Sequence, residues 1–180
     1  MKERVFITGS PGSGKSTLEE IDRRSGSPTI NTDDRKMLGW GRKEGELPEG
    51  VSFLKLLRTY SPRFDWGEIH KQTDEKPGAR LYGATPPNLR DLLRMISKGE
   101  FERIEYLNLP AVLVPQRLKD RKGNPFGTSD AEVATSVVYA VVMNPVMRLA
   151  SLIDSKRVRI HDARKPPEQL LAEITDGQSR

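Results

Sequence analysis

The chain has 180 residues and a mass of 20.3 kDa, the size of one globular domain. It carries 30 Lys and Arg against 25 Asp and Glu, for a net charge of +5, and 35% of its residues are hydrophobic. Because the sequence has no cysteine, disulfides, Cys-ligated zinc, iron–sulfur clusters and thiol catalysis are excluded. Two histidines are too few for a histidine-rich metal site.

The distribution of apolar residues predicts a soluble, cytoplasmic protein with no membrane partner. The longest unbroken apolar run, 137–143, is much shorter than the ~20 residues that cross a bilayer. The first apolar stretch, Val5–Ile7, gives way to a glycine-rich segment, which is not typical of a signal peptide.

The predicted elements begin with a short buried strand at Val5–Ile7, followed by a glycine-rich loop over Gly9–Thr17. An amphipathic pattern predicts a helix from Ser16 to about Arg24, and a second strand follows at Thr29–Asn31. Strand, loop, helix and strand in this order form a βαβ unit. Such a unit implies a parallel sheet.

The remaining predicted elements are less distinct. In chain order they are a helix at 51–58, an irregular polar segment at 61–78, a strand at 79–82, a helix ending at Gly99, a strand at 101–109, a helix at 112–121, a helix from the capping box at 129–132 to Met143, another from Asn144-Pro145 to Lys156, a strand at 157–161 and a helix beginning at Pro167.

The loop at Gly9–Ser16 matches the Walker A pattern G-x-x-x-x-G-K-[ST] and lies between a strand and a helix, as that motif requires. Its glycines permit positive φ and turn successive N–H groups toward phosphates. Lys15 is predicted to contact the β and γ phosphates of ATP, and Ser16 to ligate Mg²⁺. The predicted nucleotide-binding residues are Gly9, Ser10, Pro11, Gly12, Ser13, Gly14, Lys15, Ser16 and Thr17.

These elements predict an α/β fold of the three-layer P-loop nucleoside-triphosphate-hydrolase type, with a parallel sheet flanked by helices. We expect one domain over 1–180, with an insert at about 39–88 that binds the phosphoryl acceptor. A basic cluster containing Arg117, Lys119 and Arg121 is predicted to form a lid loop over about 117–127.

Asp33 follows the second strand, at the sheet edge where ligands bind in open α/β folds. A carboxylate there accepts the proton of a hydroxyl that attacks the γ-phosphoryl group. A nucleoside monophosphate acceptor is already deprotonated and would need arginines instead. Asp33 with Arg35 and Lys36 behind it therefore favours a hydroxyl acceptor, and the alternative role for Asp33 is a helix N-cap.

Two signatures of motors and switches are missing from the sequence. It contains no N-K-x-D motif, and its nearest apolar run ending in aspartate, Leu149–Asp154, has helical rather than strand spacing. Their absence favours a small kinase over an ATPase or a nucleotide switch.

Together, Gly9–Thr17 and Ile30–Arg35 resemble the 5′-polynucleotide kinases of the phage type and the related kinases of hydroxymethylated pyrimidines in DNA. The resemblance implies Asp33 as general base, Arg121 or Arg117 as a lid arginine, and a hydroxyl on DNA as acceptor. It is weaker beyond residue 36, where it rests on 85–88, 109–110 and 117–123.

Two departures from that family's pattern leave the acceptor open. Gly83 and Ala84 stand where the family has an aspartate after the third strand, and its arginine is displaced here to Arg35 or Lys36. The first alternative is a deoxynucleoside monophosphate kinase, which would use Arg35, Arg42 or Arg80 on a free deoxynucleotide. The second is a nucleotide-binding ATPase or switch without an acceptor.

Overall fold

The computed structural model describes residues 3–32, 64–83, 89–97, 100–120 and 130–177. Its strands are β1 (Val5–Gly9), β2 (Thr29–Asn31), β3 (Arg80–Tyr82), β4 (Arg103–Asn108) and β5 (Val158–Asp162). Its helices are α1 (Lys15–Arg24), α2 (Trp66–Glu75), α3 (Leu89–Ser97), α4 (Val114–Lys119), α5 (Asp130–Ile153) and α6 (Pro167–Asp176), with a 3₁₀ turn, η1 (Ala111–Leu113), before α4.

The five strands form one parallel sheet in the spatial order β2-β3-β1-β4-β5. In its register Val5 lies opposite both Arg80 and Arg103, and Gly9 lies opposite Leu107. Because all strands run in the same direction, their carboxyl ends share one edge of the sheet. The loop that follows β1 therefore sits between the exits of β3 and β4.

Helices cover both faces of this sheet. On one face, Leu18 of α1 and Leu170 and Ile174 of α6 pack with the strand residues Val5, Ile7 and Leu107. On the other face, α2, α3 and α5 supply Ile69, Met95 and Met147 to pack with Phe6, Ile104 and Tyr106. The predicted three-layer α/β fold with a parallel sheet is confirmed.

The expectation of an irregular segment over 61–78 is wrong, because α2 occupies 66–75. The Asp65 carboxylate accepts a hydrogen bond from the Glu68 N–H, 3.1 Å away, and caps the helix. Trp66, Ile69 and Thr73 fall on one helical face and are buried against the sheet. The composition of the segment did not indicate a helix, because α2 has only this one apolar stripe among polar residues.

A predicted break at Asn144-Pro145 is also wrong, since α5 runs without interruption from 130 to 153. The Asn144 side chain accepts a hydrogen bond from the Tyr106 hydroxyl (2.7 Å) and donates one to the Leu109 carbonyl (2.9 Å). Met143 and Met147 are buried on either side of the proline. Tertiary contacts on both sides of Pro145 thus outweigh the hydrogen bond that the proline removes.

Within the described residues, one helical stretch, 133–153 of α5, is long and apolar enough to cross a membrane by length and composition alone. The sequence analysis did not identify it, because Asn144 and Arg148 interrupt the apolar run. Core helices of soluble proteins meet the same criterion, and the inner side of α5 packs in the core of this fold.

Candidate nucleotide-binding site

The loop after β1 needs glycine at three positions for two different reasons. A Cβ on Gly9 would lie 2.6 Å from the Leu107 carbonyl oxygen, so the pairing of β1 with β4 excludes a side chain there. Gly12 and Gly14 have φ of +79° and +90°, which disfavour other residues. A Cβ on Gly14 would meet none of the described atoms within 4 Å, so the loop opens to free space at this point.

The amino end of α1 is electropositive. Gly14 is its N-cap and provides no capping side chain, and the first turn contains no acidic residue. The N–H groups and partial positive charge of this helix end are therefore available to an anion. Lys15 Nζ donates to the carbonyl oxygens of Gly9 (2.9 Å) and Ser10 (3.1 Å), which holds the ammonium group over the loop.

Two buried hydroxyl groups in the loop make no hydrogen bond to any of the described residues. Ser10 and Ser13 are 0% and 3% exposed, and neither Oγ has a protein partner. Buried Arg103 Nε and Glu105 Oε1 also make no hydrogen bond, but they form an ion pair with each other, whereas no described group offsets the two serine hydroxyls, as at a site that a ligand completes. The hydroxyls, the Lys15 ammonium and the open space beside Gly14 fit the phosphates of ATP.

Ser16 is exposed on the first turn of α1, where its hydroxyl would hold Mg²⁺. The described ranges contain no group of three or more His, Asp or Glu side chains suited to a metal ion. Magnesium commonly keeps several waters and binds substrate phosphates, so a single protein hydroxyl is a sufficient contribution to such a site.

Arg117 lies beside the glycine-rich loop at Gly9–Ser16, which we call the phosphate loop. Its Cβ is 3.2 Å from the position of a Cβ on Gly12, and its neighbour Leu118 is buried. Residues 117–119 form the end of α4, which confirms the helix predicted at 112–121 and shows that the predicted lid loop does not begin at 117. The buried Val114 and Leu118 fix α4 against the sheet. Arg121 and the rest of the predicted lid lie outside the described residues.

Asp33 and Arg35 also lie outside the described residues, but Thr32 shows where the chain leaves β2. Thr32 is buried, and its N–H and Oγ1 donate to the Tyr82 carbonyl at 2.7 and 3.2 Å. These bonds anchor the exit of β2 to the exit of β3, on the edge of the sheet that carries the phosphate loop.

A buried ion pair that the sequence analysis missed joins α1 to β3. The Asp22 carboxylate is 0% exposed, pairs with the Arg80 guanidinium and accepts a hydrogen bond from the Tyr82 hydroxyl at 2.8 Å. Burial and the adjacent Asp22 raise the pKa of the Tyr82 phenol. Arg80, proposed above as a phosphate-binding arginine, is thus committed to Asp22 at the start of β3. The signal in the sequence that could have revealed this ion pair was Asp22 itself, an aspartate on the apolar side of the amphipathic helix α1.

A second buried ionic cluster lies between the sheet and α6. Glu105 is 0% exposed and forms ion pairs at 2.6 Å with Arg103 and with His161 Nε2. Arg103 also donates to the Ile174 carbonyl at 2.9 Å. Alternation along β4 places Glu105 on the same face of the sheet as Leu107. The pattern alone does not show that this face, and Glu105 with it, is buried.

The turn after β5 is held by its own charges. The Asp162 carboxylate accepts hydrogen bonds from the backbone N–H of Arg164 (3.0 Å) and from its guanidinium, which lowers the pKa of Asp162 to about 2. The Ala163 N–H donates to the Asn108 carbonyl at 3.2 Å, so the turn is tied to the exit of β4. The turn at 162–166 follows β5 at the same edge of the sheet as the glycine-rich loop, and that position predicts a contact with the adenine of ATP.

Aromatic residues in the polar segments of the chain could either stack on a base or hold the fold together. Phe64, Trp66 and Tyr82 are buried, at 6%, 8% and 1% exposure, and therefore belong to the core. Phe64 and Trp66 pack edge to face at 5.3 Å, and the Asp91 carboxylate accepts hydrogen bonds from the Phe64 N–H and Trp66 Nε1. Trp40 and Tyr60 lie outside the described residues.

No protein-family model and no curated protein matches this chain. Solved structures do match it over nearly its whole length. A shikimate kinase from Bacteroides thetaiotaomicron is 18% identical, with 99% of each chain covered and a TM-score of 0.63. A sugar kinase from Janibacter sp. HTCC2649 is 18% identical, covering 99% of this chain and 95% of that one, with a TM-score of 0.56.

A deoxyadenosine kinase from M. mycoides with bound dATP is 13% identical, covering 98% of this chain and all of the other, with a TM-score of 0.54. These likenesses establish the fold, a three-layer α/β arrangement around a parallel sheet, as the sequence predicts. The structures named act on small molecules, and none is a polynucleotide kinase.

Proposed function

We propose that this chain is an ATP- and Mg²⁺-dependent kinase that transfers the γ-phosphoryl group to a hydroxyl. The phosphate loop carries the proposal: two buried hydroxyls without protein partners lie beside Lys15 at the positive end of α1. ATP bound there would supply the phosphoryl group. Lys15 and the loop N–H groups would hold the phosphates, and Ser16 the metal.

Asp33 is proposed to take the proton of the attacking hydroxyl. Support comes from Thr32, which anchors the exit of β2 at the edge of the sheet that carries the phosphate loop. Arg117, next to Gly12, is the described arginine best placed to stabilise negative charge on the transferred group, with Arg121 and Arg35 as further proposed contributors.

For the acceptor we propose a hydroxyl on DNA, either a 5′ end or a hydroxymethylated pyrimidine. The support is the resemblance of residues 4–36 to kinases of such hydroxyls, together with a net charge of +5. The sequence likeness includes the segment that carries Asp33, the proposed base. The resemblance that suggests DNA as the acceptor therefore includes the segment that carries the proposed general base.

A small-molecule hydroxyl is the second candidate. The observation that favours it is that structures with this fold include a shikimate kinase, a sugar kinase and a deoxyadenosine kinase. A free deoxynucleoside monophosphate is less well supported, because Arg80 is occupied by the buried Asp22 and the other two arginines suggested for it lie outside the described residues.

The deciding experiment incubates the protein with γ-labelled ATP, Mg²⁺ and one acceptor at a time. The acceptors are DNA with 5′-hydroxyl ends, intact DNA with hydroxymethyl pyrimidines, deoxynucleosides, deoxynucleoside monophosphates, shikimate and gluconate. Label in either DNA supports the proposal and identifies the kind of hydroxyl. Label only in a small molecule rejects DNA as acceptor, and label only in inorganic phosphate rejects the kinase in favour of an ATPase.

A further inference from the structure

The outward side of α5 carries an apolar surface that no other described element covers. Six side chains on it are 43–84% exposed: Val138, Val141, Val142, Leu149, Leu152 and Ile153. Monomeric proteins seldom expose large apolar side chains in one continuous patch, and such patches mark interaction sites. We call these six residues the α5 ridge.

The spacing along the ridge is that of a helix that pairs with another helix. Val138, Val142, Pro145, Leu149 and Leu152 follow one another at intervals of 4, 3, 4 and 3 residues. This is the heptad pattern of a coiled-coil seam, extended over two heptads. It lies opposite the buried stripe formed by Ala140, Met143, Met147 and Ala150, so α5 has two apolar seams and the fold uses one.

An apolar groove borders the ridge. It has a volume of about 290 Å³ and lies between η1 and α5, lined by Ala111, Ala140, Val141, Asn144, Pro145 and Arg148. Val112 of η1 is 84% exposed. A ridge next to a groove on the same surface is the arrangement that a two-fold symmetric contact requires, because each copy then presents both parts to the other.

We propose that the α5 ridge is the interface of a homodimer in which two α5 helices pair antiparallel across a two-fold axis near Pro145. In this arrangement Leu152 of one copy meets Val138 of the other, and Leu149 packs against Val141 and its seam neighbour Val142 at the edge of the groove. Large side chains thus meet smaller ones along the seam, and the pairing sets opposed helix dipoles side by side.

The charges on α5 favour a second copy over a lipid surface. Arg148 is the one charged side chain within 133–153. Arg148 lies three residues from the axis in each copy. The two Arg148 side chains are therefore about 9 Å apart along the helix direction and reach the rim of the contact. A helix lying on a membrane would instead carry Lys and Arg along its polar side, and a spanning α5 would have to give up its contacts in the core.

The proposal is independent of the kinase function and is tested by mass in solution. Sedimentation from low to high micromolar concentration should show a species of twice the chain mass of 20.3 kDa. Val142→Asp with Leu149→Asp should raise the dissociation constant about 100-fold or more. Gln169→Asp, an exposed position on α6 beyond the opposite face of the sheet, should leave it unchanged.

The absence of cysteine makes the orientation testable as well. Val138→Cys and Leu152→Cys should each fail to form a disulfide dimer alone and should form one when the two variants are mixed and oxidised. A disulfide dimer of Val138→Cys alone would overturn the antiparallel arrangement. A monomer at every concentration would overturn the dimer, and one that floats with phosphatidylcholine or phosphatidylglycerol vesicles would assign the ridge to lipid.

Discussion

The phosphate loop and the cluster around Glu105 both place polar groups inside the protein, and they treat them in opposite ways. In the loop, the buried hydroxyls of Ser10 and Ser13 have no described protein partner. Around Glu105, one buried carboxylate lies 2.6 Å from the Arg103 guanidinium and 2.6 Å from His161 Nε2. The two regions occupy neighbouring strands of one sheet, so the difference does not arise from depth of burial.

We interpret the loop as a site that a ligand completes and the cluster as a contribution to the fold. A buried charge in contact with a counter-charge holds its elements in place, and removal of one partner lowers stability. A buried hydroxyl left without a partner costs free energy in the empty protein and regains it on binding. Substitutions in the loop should therefore affect activity, and those in the cluster should affect stability.

The largest effect is expected for Lys15→Ala. Removal of the ammonium from the loop should lower γ-phosphoryl transfer by about 10²–10³-fold or more, because it removes charge from the site of the phosphates. The thermal midpoint should change little. Lys156→Ala, an exposed lysine just before β5 and therefore at the opposite edge of the sheet, is the matched control and should keep normal transfer. Transfer that survives Lys15→Ala would contradict the assignment of the loop.

Asp33→Asn should lower turnover by about 10²–10⁴-fold while ATP affinity changes little, since a general base acts in the chemical step. Turnover and nucleotide binding are measured separately, by label transfer and by titration with a non-hydrolysable ATP analogue. Near-normal turnover would leave Asp33 as a helix cap. A loss of binding equal to the loss of turnover would make it a nucleotide contact.

Glu105→Leu should destabilise the protein by about 3–5 kcal/mol, because the buried Arg103 guanidinium keeps only the more distant Glu3, 3.7 Å away, as a counter-charge. Urea unfolding measures this free energy. The matched control is Glu102→Leu on the same segment. Its carboxylate pairs with the Arg4 side chain at 3.4 Å and accepts a hydrogen bond from the Arg4 N–H at 2.6 Å, and these exposed contacts should contribute about 1–1.5 kcal/mol together. Equal losses of stability in the two variants would show that the buried contacts of Glu105 contribute no more than the exposed contacts of Glu102.

Two tyrosine hydroxyls allow a hydrogen bond to a charged acceptor to be compared with a hydrogen bond to a neutral acceptor. Tyr82→Phe removes a hydrogen bond to the Asp22 carboxylate and should cost about 1.5–3 kcal/mol. Tyr106→Phe removes one to the Asn144 amide oxygen and should cost about 0.5–1.5 kcal/mol. Urea unfolding of both variants at one pH gives the comparison, and the reverse order would be inconsistent with a charged Asp22.

The smallest effect concerns pH. The Arg164 hydrogen bonds lower the pKa of Asp162 to about 2, below its unfolded value near 3.9. Their contribution to stability is therefore complete above about pH 4 and is lost as the pH falls toward 2. The small loss of stability in Arg164→Ala at pH 6 should disappear near pH 2. A loss that persists there would show that Arg164 acts through packing.

Local patterns predicted most of the fold. The apolar run before the loop predicted β1, and the sequence Gly9–Ser16 predicted the phosphate loop with the strand before it and the helix after it. The βαβ order predicted a parallel sheet, which the structure confirms. These features are local, since they depend on residue types at fixed short spacings.

Features that depend on distant residues were missed. The segment 61–78 looked irregular because α2 has only three buried side chains, and those become a core only when α3 and the sheet cover them. The break expected at Pro145 did not occur because Tyr106, 38 positions away from Asn144, holds that turn of α5.

The sequence by itself therefore determined the chemistry of the phosphate loop, because glycine, lysine and serine act there through their own conformational and charge properties. Only the tertiary structure decided which polar groups are buried in pairs and which face of α5 stays exposed. Asp22 finds Arg80 across 58 positions, and Glu105 finds His161 across 56. Such pairs form because the sheet brings distant strands and helices together, and no local pattern encodes that proximity.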